Sequence, residues 1–279
     1  MRLRRIDSEL VRRGLVRSRV QARELIEAGR VRLDGAVVTK PARQMDPAQA
    51  ILIDSAAEDE YASRGAHKLL GALEILGSSA PRIEGRRCLD AGASTGGFTD
   101  VLLRRGASAV VAVDVGYGQL AWNLRTDPRV EVHDRTNVRM LRPEDVAPAP
   151  GLVVGDLSFI SLTLILPALV RAARPDADFL LMVKPQFEIG RERLGRGGVV
   201  RDPDQHVETV ETVARCALDL GLDVYGVAAS PLPGPAGNVE YFLAMRAGHP
   251  EAIDPARLPD AIAAAVRDGP AGAGRRNAP

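Results

Sequence analysis

The chain reads as an open α/β domain preceded by a small α+β module. Three observations carry that reading. Between residues 64 and 246, short apolar runs alternate with helical stretches, the order of strands and helices layered about a mostly parallel sheet. A glycine loop, GASTGG at 92–97, joins an apolar strand to a helix. Residues 1–50 carry twelve Lys/Arg against six Asp/Glu, although the whole chain is only +1. That surplus sets a basic, polyanion-binding unit apart from a mildly acidic body.

In the basic unit, residues 1–54, Ile6, Leu10 and Leu15 put apolar groups on one side of a first helix that breaks near Gly14. Ser18 is a natural N-cap for a second helix, where Ala22, Leu25 and Ile26 keep helical spacing until Gly29 ends it. VRLDGAVV then supplies two short strands around Asp34-Gly35, a preferred type I′ turn, and AILID closes the unit near Asp54. Arg12, Arg17, Arg19, Arg23 and Lys40 are available to line one polyanion-binding face; charged helices also occur simply as solvated faces. Residues 55–63 are acidic, weakly patterned and read as a linker.

The large domain spans 64–248. Strands are expected at 86–91, 108–116, 129–133, 151–156, 178–184, 222–229 and 239–246, with helices over RGAHKLLGALEIL and FTDVLLRRG. Residues 249–279 form a carboxyl-terminal extension. Its last stretch, AVRDGPAGAGRRNAP, has the Gly/Ala/Pro/Arg composition of a disordered tail.

Some classes are disfavoured. Cys88 and Cys216 are the only cysteines, without a C-x-x-C, so the chain reads as reduced and cytoplasmic. No run reaches the roughly eighteen apolar residues of a membrane span. The start MRLRRIDSELVRR lacks the apolar core of a signal peptide. No metal-ligand spacing stands out.

Lysine usage is informative. Lys40, Lys68 and Lys184 are the only lysines among 37 basic side chains. Burial can make a lysine give up its proton, whereas a guanidinium stays charged, so a lysine kept among arginines can mark proton-transfer chemistry. Codon bias with chance survivors is the plain alternative.

The glycine loop admits three readings. G-x-S-x-G at 92–96 matches a hydrolase nucleophile elbow, with His206 or His249 as nominal partners. An elbow serine, however, gives no role to Asp114, the acid ending the next strand. A dinucleotide site would want G-x-G-x-x-G, and its pyrophosphate would meet Asp90 just before the loop. S-adenosylmethionine has a cationic sulfonium, an amino-acid end and no phosphate, so it tolerates Asp90 best. Asp90, Gly92, Ser94, Gly96, Gly97 and Phe98 would then surround the amino-acid end. Asp114 would hold the ribose hydroxyls, and Asp134 and Asn137 would reach the adenine; Asn137 also reads as a plain turn residue.

Asp156 and Lys184 end consecutive strands, Glu240 opens the last strand, and Lys68 lies on the helix before the first. Four ionisable groups at element ends suit methyl transfer to an alkoxide. A ribose 2′-hydroxyl holds its proton tightly, so the proton must leave as the methyl moves. Lys184 is the candidate base, with Lys68, Asp156 and Glu240 balancing and orienting charge. Two structural salt bridges would be the plain alternative.

Two resemblances sharpen this. The pattern SR-x-x-A-x-x-L-I-x-x-G-x-V-x-L-D-G followed by KP resembles the S4-type RNA-binding domain. SRGAHKL, LDAGASTGGFTD, VDVGYGQLAW, RTNVR, GDLSFISL, KPQFE, GRGGVVRDP and GPAGNVE resemble the TlyA (hemolysin A) family of rRNA (cytidine-2′-O)-methyltransferases, with an FtsJ-type catalytic domain. The resemblance implies a Rossmann-like class I methyltransferase sheet and S-adenosylmethionine as cofactor. It also implies a Lys-Asp-Lys-Glu tetrad on Lys68, Asp156, Lys184 and Glu240, and cytidines of 16S and 23S rRNA in assembled subunits as substrate. A membrane-acting hemolysin and a non-catalytic assembly factor are the alternatives. The sequence disfavours the first for want of a span, and the second because the tetrad is intact.

Overall fold

The computed structural model describes residues 3–16, 18–53, 61–195, 197–234 and 236–272. Arg17, Asp54 and most of the expected linker therefore lie outside the described residues, as does 273–279. The chain divides into two compact units, Met1–Glu60 and Tyr61–Pro279.

In the first unit, β1 (Arg4–Arg5), α1 (Ile6–Arg12), α2 (Arg19–Glu27), β2 (Val31–Leu33), β3 (Ala36–Val37), β4 (Gln44–Met45) and β5 (Ile51–Ile53) follow in order. β2 is central, antiparallel to both β3 and β5, while β1 pairs with β4. Ser18 Oγ accepts the Gln21 N–H at 3.2 Å, the cap its position predicts. Asp34 and Gly35 both have positive φ (48° and 83°), which a type I′ turn requires. Ile6, Leu10, Ala22, Ile26, Val31 and Val38 make the core. Leu15 does not join it: α1 stops at Arg12, leaving Leu15 exposed while Val16 is buried instead.

Two buried acids organise the arginines of this unit. Asp7 accepts from Arg5 and from Arg19, the latter at 2.9 Å. Glu9 accepts from Arg12 at 2.6 and 2.8 Å and from Arg13 at 3.0 Å. The Arg12 guanidinium, with Arg13, holds the Glu9 carboxyl down at about 2 despite its burial.

The second unit contains α3 (Gly65–Leu76), β6 (Arg87–Ala91), α4 (Gly97–Arg104), β7 (Ala109–Val113), α5 (Trp122–Arg125), β8 (Val130–His133), β9 (Leu152–Gly155) and α6 (Leu166–Ala172). β10 (Asp178–Val183), α7 (Pro185–Glu188), α8 (Pro203–Asp219), β11 (Asp223–Ala229), β12 (Tyr241–Arg246) and α9 (Leu258–Asp268) follow. Among the described residues, seven strands form one sheet in the order β11-β12-β10-β9-β6-β7-β8. All neighbouring pairs are parallel except those of β12, which runs antiparallel to β10 and β11.

Alternate residues of each strand feed opposite layers. Leu89, Val111, Val153 and Leu181 pack with α6, α8 and α9, while Cys88, Val110, Leu152 and Leu180 pack with α3 and α4. Burial on both faces is why these strands read as continuous apolar runs. Tyr61 belongs to this unit, with the Arg104 guanidinium 4.4 Å from its ring centre. The first residues of the stretch expected to be disordered, Ala265–Asp268, are helical. α9 continues to Asp268 because Leu258, Ile262 and Val266, spaced four apart, bury one face.

Candidate functional site

The sheet order reverses direction between β6 and β9, so the loops after these two strands diverge and leave a crevice at their carboxyl ends. The glycine loop follows β6. Gly92 has φ +86°, and a Cβ there would sit 3.0 Å from the Asp156 carbonyl oxygen, so the loop after β6 lies close against the backbone after β9. A Cβ on Gly97 would meet Ser63 Oγ at 2.3 Å, which brings the starts of α3 and α4 together.

Asp90 is fully buried at the end of β6. Its Oδ2 accepts from Thr99 Oγ1 at 2.7 Å, while Oδ1 has no protein partner. Burial, tempered by the Thr99 hydrogen bonds, pushes this carboxyl up to about 7. Asp114 follows β7 and accepts the backbone N–H groups of Ser94 (2.8 Å) and Gly116 (2.6 Å), which ties it to the glycine loop. Ser94 has φ +48°, and its hydroxyl donates to Gln119 Oε1 at 3.3 Å. His206 instead bonds the Val200 carbonyl at 3.0 Å, and His249 stacks on Tyr225. The Ser–His pair of the hydrolase reading is thus not assembled.

Three sequence-predicted cofactor residues have other occupations. The Phe98 side chain is buried in the core, stacked on Phe242, so it offers the loop its backbone rather than its ring. Asp134 accepts from Arg125 Nη1 at 2.8 Å and from the Gly118 N–H at 3.2 Å, bracing the loop after β7. Asn137 accepts the Arg139 N–H at 3.0 Å and caps a short 3-10 turn, the plain turn role.

The four ionisable groups meet. Lys184 directly follows β10, and Asp156 follows its parallel neighbour β9. Because β12 runs antiparallel, its first residue comes to the same edge, and Glu240 immediately precedes it. α3 lays Lys68 across that edge. Lys68 Nζ donates to Glu240 Oε2 at 2.6 Å and lies 3.7 Å from Asp156 Oδ2. Lys184 Nζ is in ion-pair contact with Asp156 Oδ1 at 2.5 Å and donates to Ser158 Oγ at 2.9 Å. The result is a line, Glu240–Lys68–Asp156–Lys184–Ser158, in which carboxyl and amine groups alternate over its first four members. Both lysines are buried (8% and 7% exposed) and Glu240 more so (1%).

Sequence reasoning missed several neighbours. Ser158 takes a hydrogen bond from Lys184, Gln186 Nε2 donates to Glu240 Oε1 at 3.4 Å, and Met182 Sδ lies 4.0 Å from Lys68 Nζ. Phe159, 90% exposed with φ +65°, rests on Phe187 beside Lys184. An exposed large aromatic at positive φ within the motif GDLSFISL offers a face on which a nucleobase can stack.

In the first unit, Arg23 and Lys40 are exposed, whereas Arg12 and Arg19 are half-exposed and tied to Glu9 and Asp7. Lys40 lines a hollow of about 350 Å³ with Thr39, Ala42 and Arg43.

The doubly wound sheet with an antiparallel β12, and the glycine loop beside the acid after β7, define a methyltransferase of the open α/β class. Residues 61–247 match the FtsJ-like methyltransferase family, and residues 4–51 match the S4 domain. The chain is 57% identical over 266 residues to the 16S/23S rRNA (cytidine-2′-O)-methyltransferase TlyA of Mycobacterium tuberculosis, covering 95% of this chain and 98% of that one. It is 33% identical to the 23S rRNA (cytidine-2′-O)-methyltransferase TlyA of Campylobacter jejuni, over 81% of this chain and 92% of that one. A solved structure from Streptococcus thermophilus, named as a hemolysin, is 37% identical with a TM-score of 0.70, covering 96% of this chain and 97% of that chain. The chain belongs to the TlyA family of FtsJ-like rRNA methyltransferases. Among the described residues, no helix is long and apolar enough to cross a membrane.

Proposed function

We propose that the chain methylates the 2′-hydroxyl of a cytidine in 16S rRNA, 23S rRNA or both, within assembled ribosomal subunits, using S-adenosylmethionine. The observation that carries this reading is the Glu240–Lys68–Asp156–Lys184 line at the sheet edge beside the glycine loop.

Two features fit the cofactor. Asp90 Oδ1 is buried without a partner, which an ammonium donor from an amino-acid end would satisfy. Asp114 uses one lone pair on each oxygen for backbone N–H groups and keeps others for a ribose diol. The backbone of Gly92, Ser94, Gly96 and Gly97 would line the amino-acid end. When bound, S-adenosylmethionine supplies an electrophilic methyl on a sulfonium.

The residues of the chain handle the proton. Lys184 would accept it from the 2′-hydroxyl as the methyl leaves the sulfonium sulfur for that oxygen, and general-base assistance of this kind contributes about 10²–10⁴-fold. Asp156, in contact with both amines, holds Lys184 in place and compensates the ammonium it becomes. Lys68, pinned by Glu240, adds positive charge where the oxygen becomes anionic. The first unit holds structured RNA through phosphates, with Arg12, Arg17, Arg19, Arg23 and Lys40 as the contacts.

Mapping 2′-O-methyl marks on subunits incubated with the wild-type protein or Lys184→Ala tests the reading. The expected result is a cytidine mark made by the wild type and absent with the variant. A mark on a base, or an unchanged mark with Lys184→Ala, overturns it.

A further inference from the structure

Lys184 is the N-cap of α7, and that single helical turn grips the segment after β9 at three points. Lys184 Nζ donates to Ser158 Oγ at 2.9 Å. The Phe187 and Phe159 rings lie 5.2 Å apart. Glu188 accepts from Ser161 Oγ at 2.5 Å and from the Leu162 N–H at 2.8 Å. Ser161 in turn accepts the Thr163 N–H at 3.2 Å, so Glu188 holds the start of the 3-10 turn formed by Leu162–Leu164. No cation forms an ion pair with Glu188 among the described residues. Its hydrogen bonds, to Ser161 and Leu162, both lie in this one segment, and burial pushes its carboxyl up.

The geometry bears on how Lys184 can accept a proton. A neutral amine has two N–H bonds and one lone pair, arranged tetrahedrally. The hydrogen bond to Ser158 Oγ fixes one of these directions, and Asp156 Oδ1 lies at ion-pair distance on another side of the nitrogen, so the two together bias where the lone pair can face. Asp156 is steadied by Lys68, but Ser158 and Phe159 are both exposed and Phe159 has φ +65°. Their position depends on what anchors the segment a few residues on.

We propose that Glu188 is a positioning residue for methyl transfer: by holding the Ser161–Leu162 turn it keeps Ser158 on Lys184 and so aims the amine at the ribose oxygen. This rests on Lys184 being the proton acceptor. Glu188 itself touches neither substrate nor cofactor. It acts through Ser158.

The test is a double-mutant cycle on the full chain with ribosomal subunits as substrate. It reads kcat, KM, cofactor affinity by calorimetry and the thermal midpoint for Glu188→Ala, Ser158→Ala and the double variant. Glu188→Ala and Ser158→Ala should each lower kcat by about 10–100-fold, the scale on which a misplaced reacting group is felt. KM and cofactor affinity should stay within about threefold. The double variant should be no worse than the weaker single, because both break one contact. Ser158→Thr and Glu188→Gln, which keep an acceptor, should recover most of kcat. Wild-type kcat in Glu188→Ala, losses that multiply in the double, or a kcat loss matched by lost cofactor binding would overturn the proposal. Lys184→Ala separates the two levels. Methylation surviving there overturns the reading of the base, whereas an inert Lys184→Ala beside an unaffected Glu188→Ala overturns only the role of Glu188.

Discussion

Lys68 and Lys184 share the carboxylate of Asp156, Lys68 at 3.7 Å from one oxygen and Lys184 at 2.5 Å from the other. Removing that carboxylate leaves two buried amines with Glu240 as the one remaining tetrad acid. Asp156→Ala should therefore reduce methylation by more than about 10²-fold, the lower end of what proton-transfer assistance supplies. Lys184→Ala should abolish it. Cofactor binding measured by calorimetry should persist in Lys184→Ala, because its side chain meets Asp156, Ser158 and Phe187 rather than the glycine loop.

Gly71 sits one turn after Lys68 on α3, and a Cβ there would lie 2.3 Å from Pro231 Cγ. Pro231 opens the loop that leads to Glu240. Gly71→Ala should force the helix and the loop apart, with a stability loss of about 1–3 kcal/mol, the usual cost of overpacking. It should also lower kcat by separating Lys68 from Glu240. Thermal unfolding and a methylation assay on the same sample check both.

Arg19 and Arg23 should behave differently although both are proposed RNA contacts. Arg23→Ala should weaken subunit binding and reduce the salt slope by about one, with no change in stability. Arg19→Ala should do the same and also unpin Asp7, which is buried and then keeps Arg5 as its ionic partner among the described residues. A binding series against salt, with a melting curve for each variant, separates the two.

Acid should loosen the first unit through Glu9. Its carboxyl lies at about 2 in the folded chain against a usual 4.5. A depressed folded value means the stabilisation is complete above 4.5 and is lost as pH falls through about 2. Amide exchange in α1, followed from pH 5 downward, should accelerate over that window. Glu9→Gln should reduce the dependence and leave the part that Asp7, held down by Arg5 and Arg19 on the same helix, contributes.

Much of this was legible in the sequence, for physical reasons. Apart from the edge strand β8, which alternates as VEVH, the strands of the large sheet are buried on both faces and so read as apolar runs. The tetrad was legible because each member stands at an element end and because lysine is rare here. Other features were hidden by contacts between segments distant in sequence. Nothing near Glu188 announces that it bonds Ser161, and Asp134 gives no sign that Arg125 occupies it. Phe98 reads as part of a cofactor loop, yet its ring fills the core against Phe242. α9 was masked by alanine and glycine composition, although its burial spacing was present throughout.

The placement of β12 between β10 and β11 has a consequence for how the protein is made. The strand that brings Glu240 to Lys68, 172 residues later in the chain, slots between two strands synthesised before it. During translation the RNA-binding unit emerges first and can fold from its own local pairings. The proposed methyl-transfer site stays incomplete until that late strand takes its place. A nascent or carboxyl-truncated chain could hold RNA yet leave it unmodified, so binding capacity precedes chemical competence in the life of each molecule.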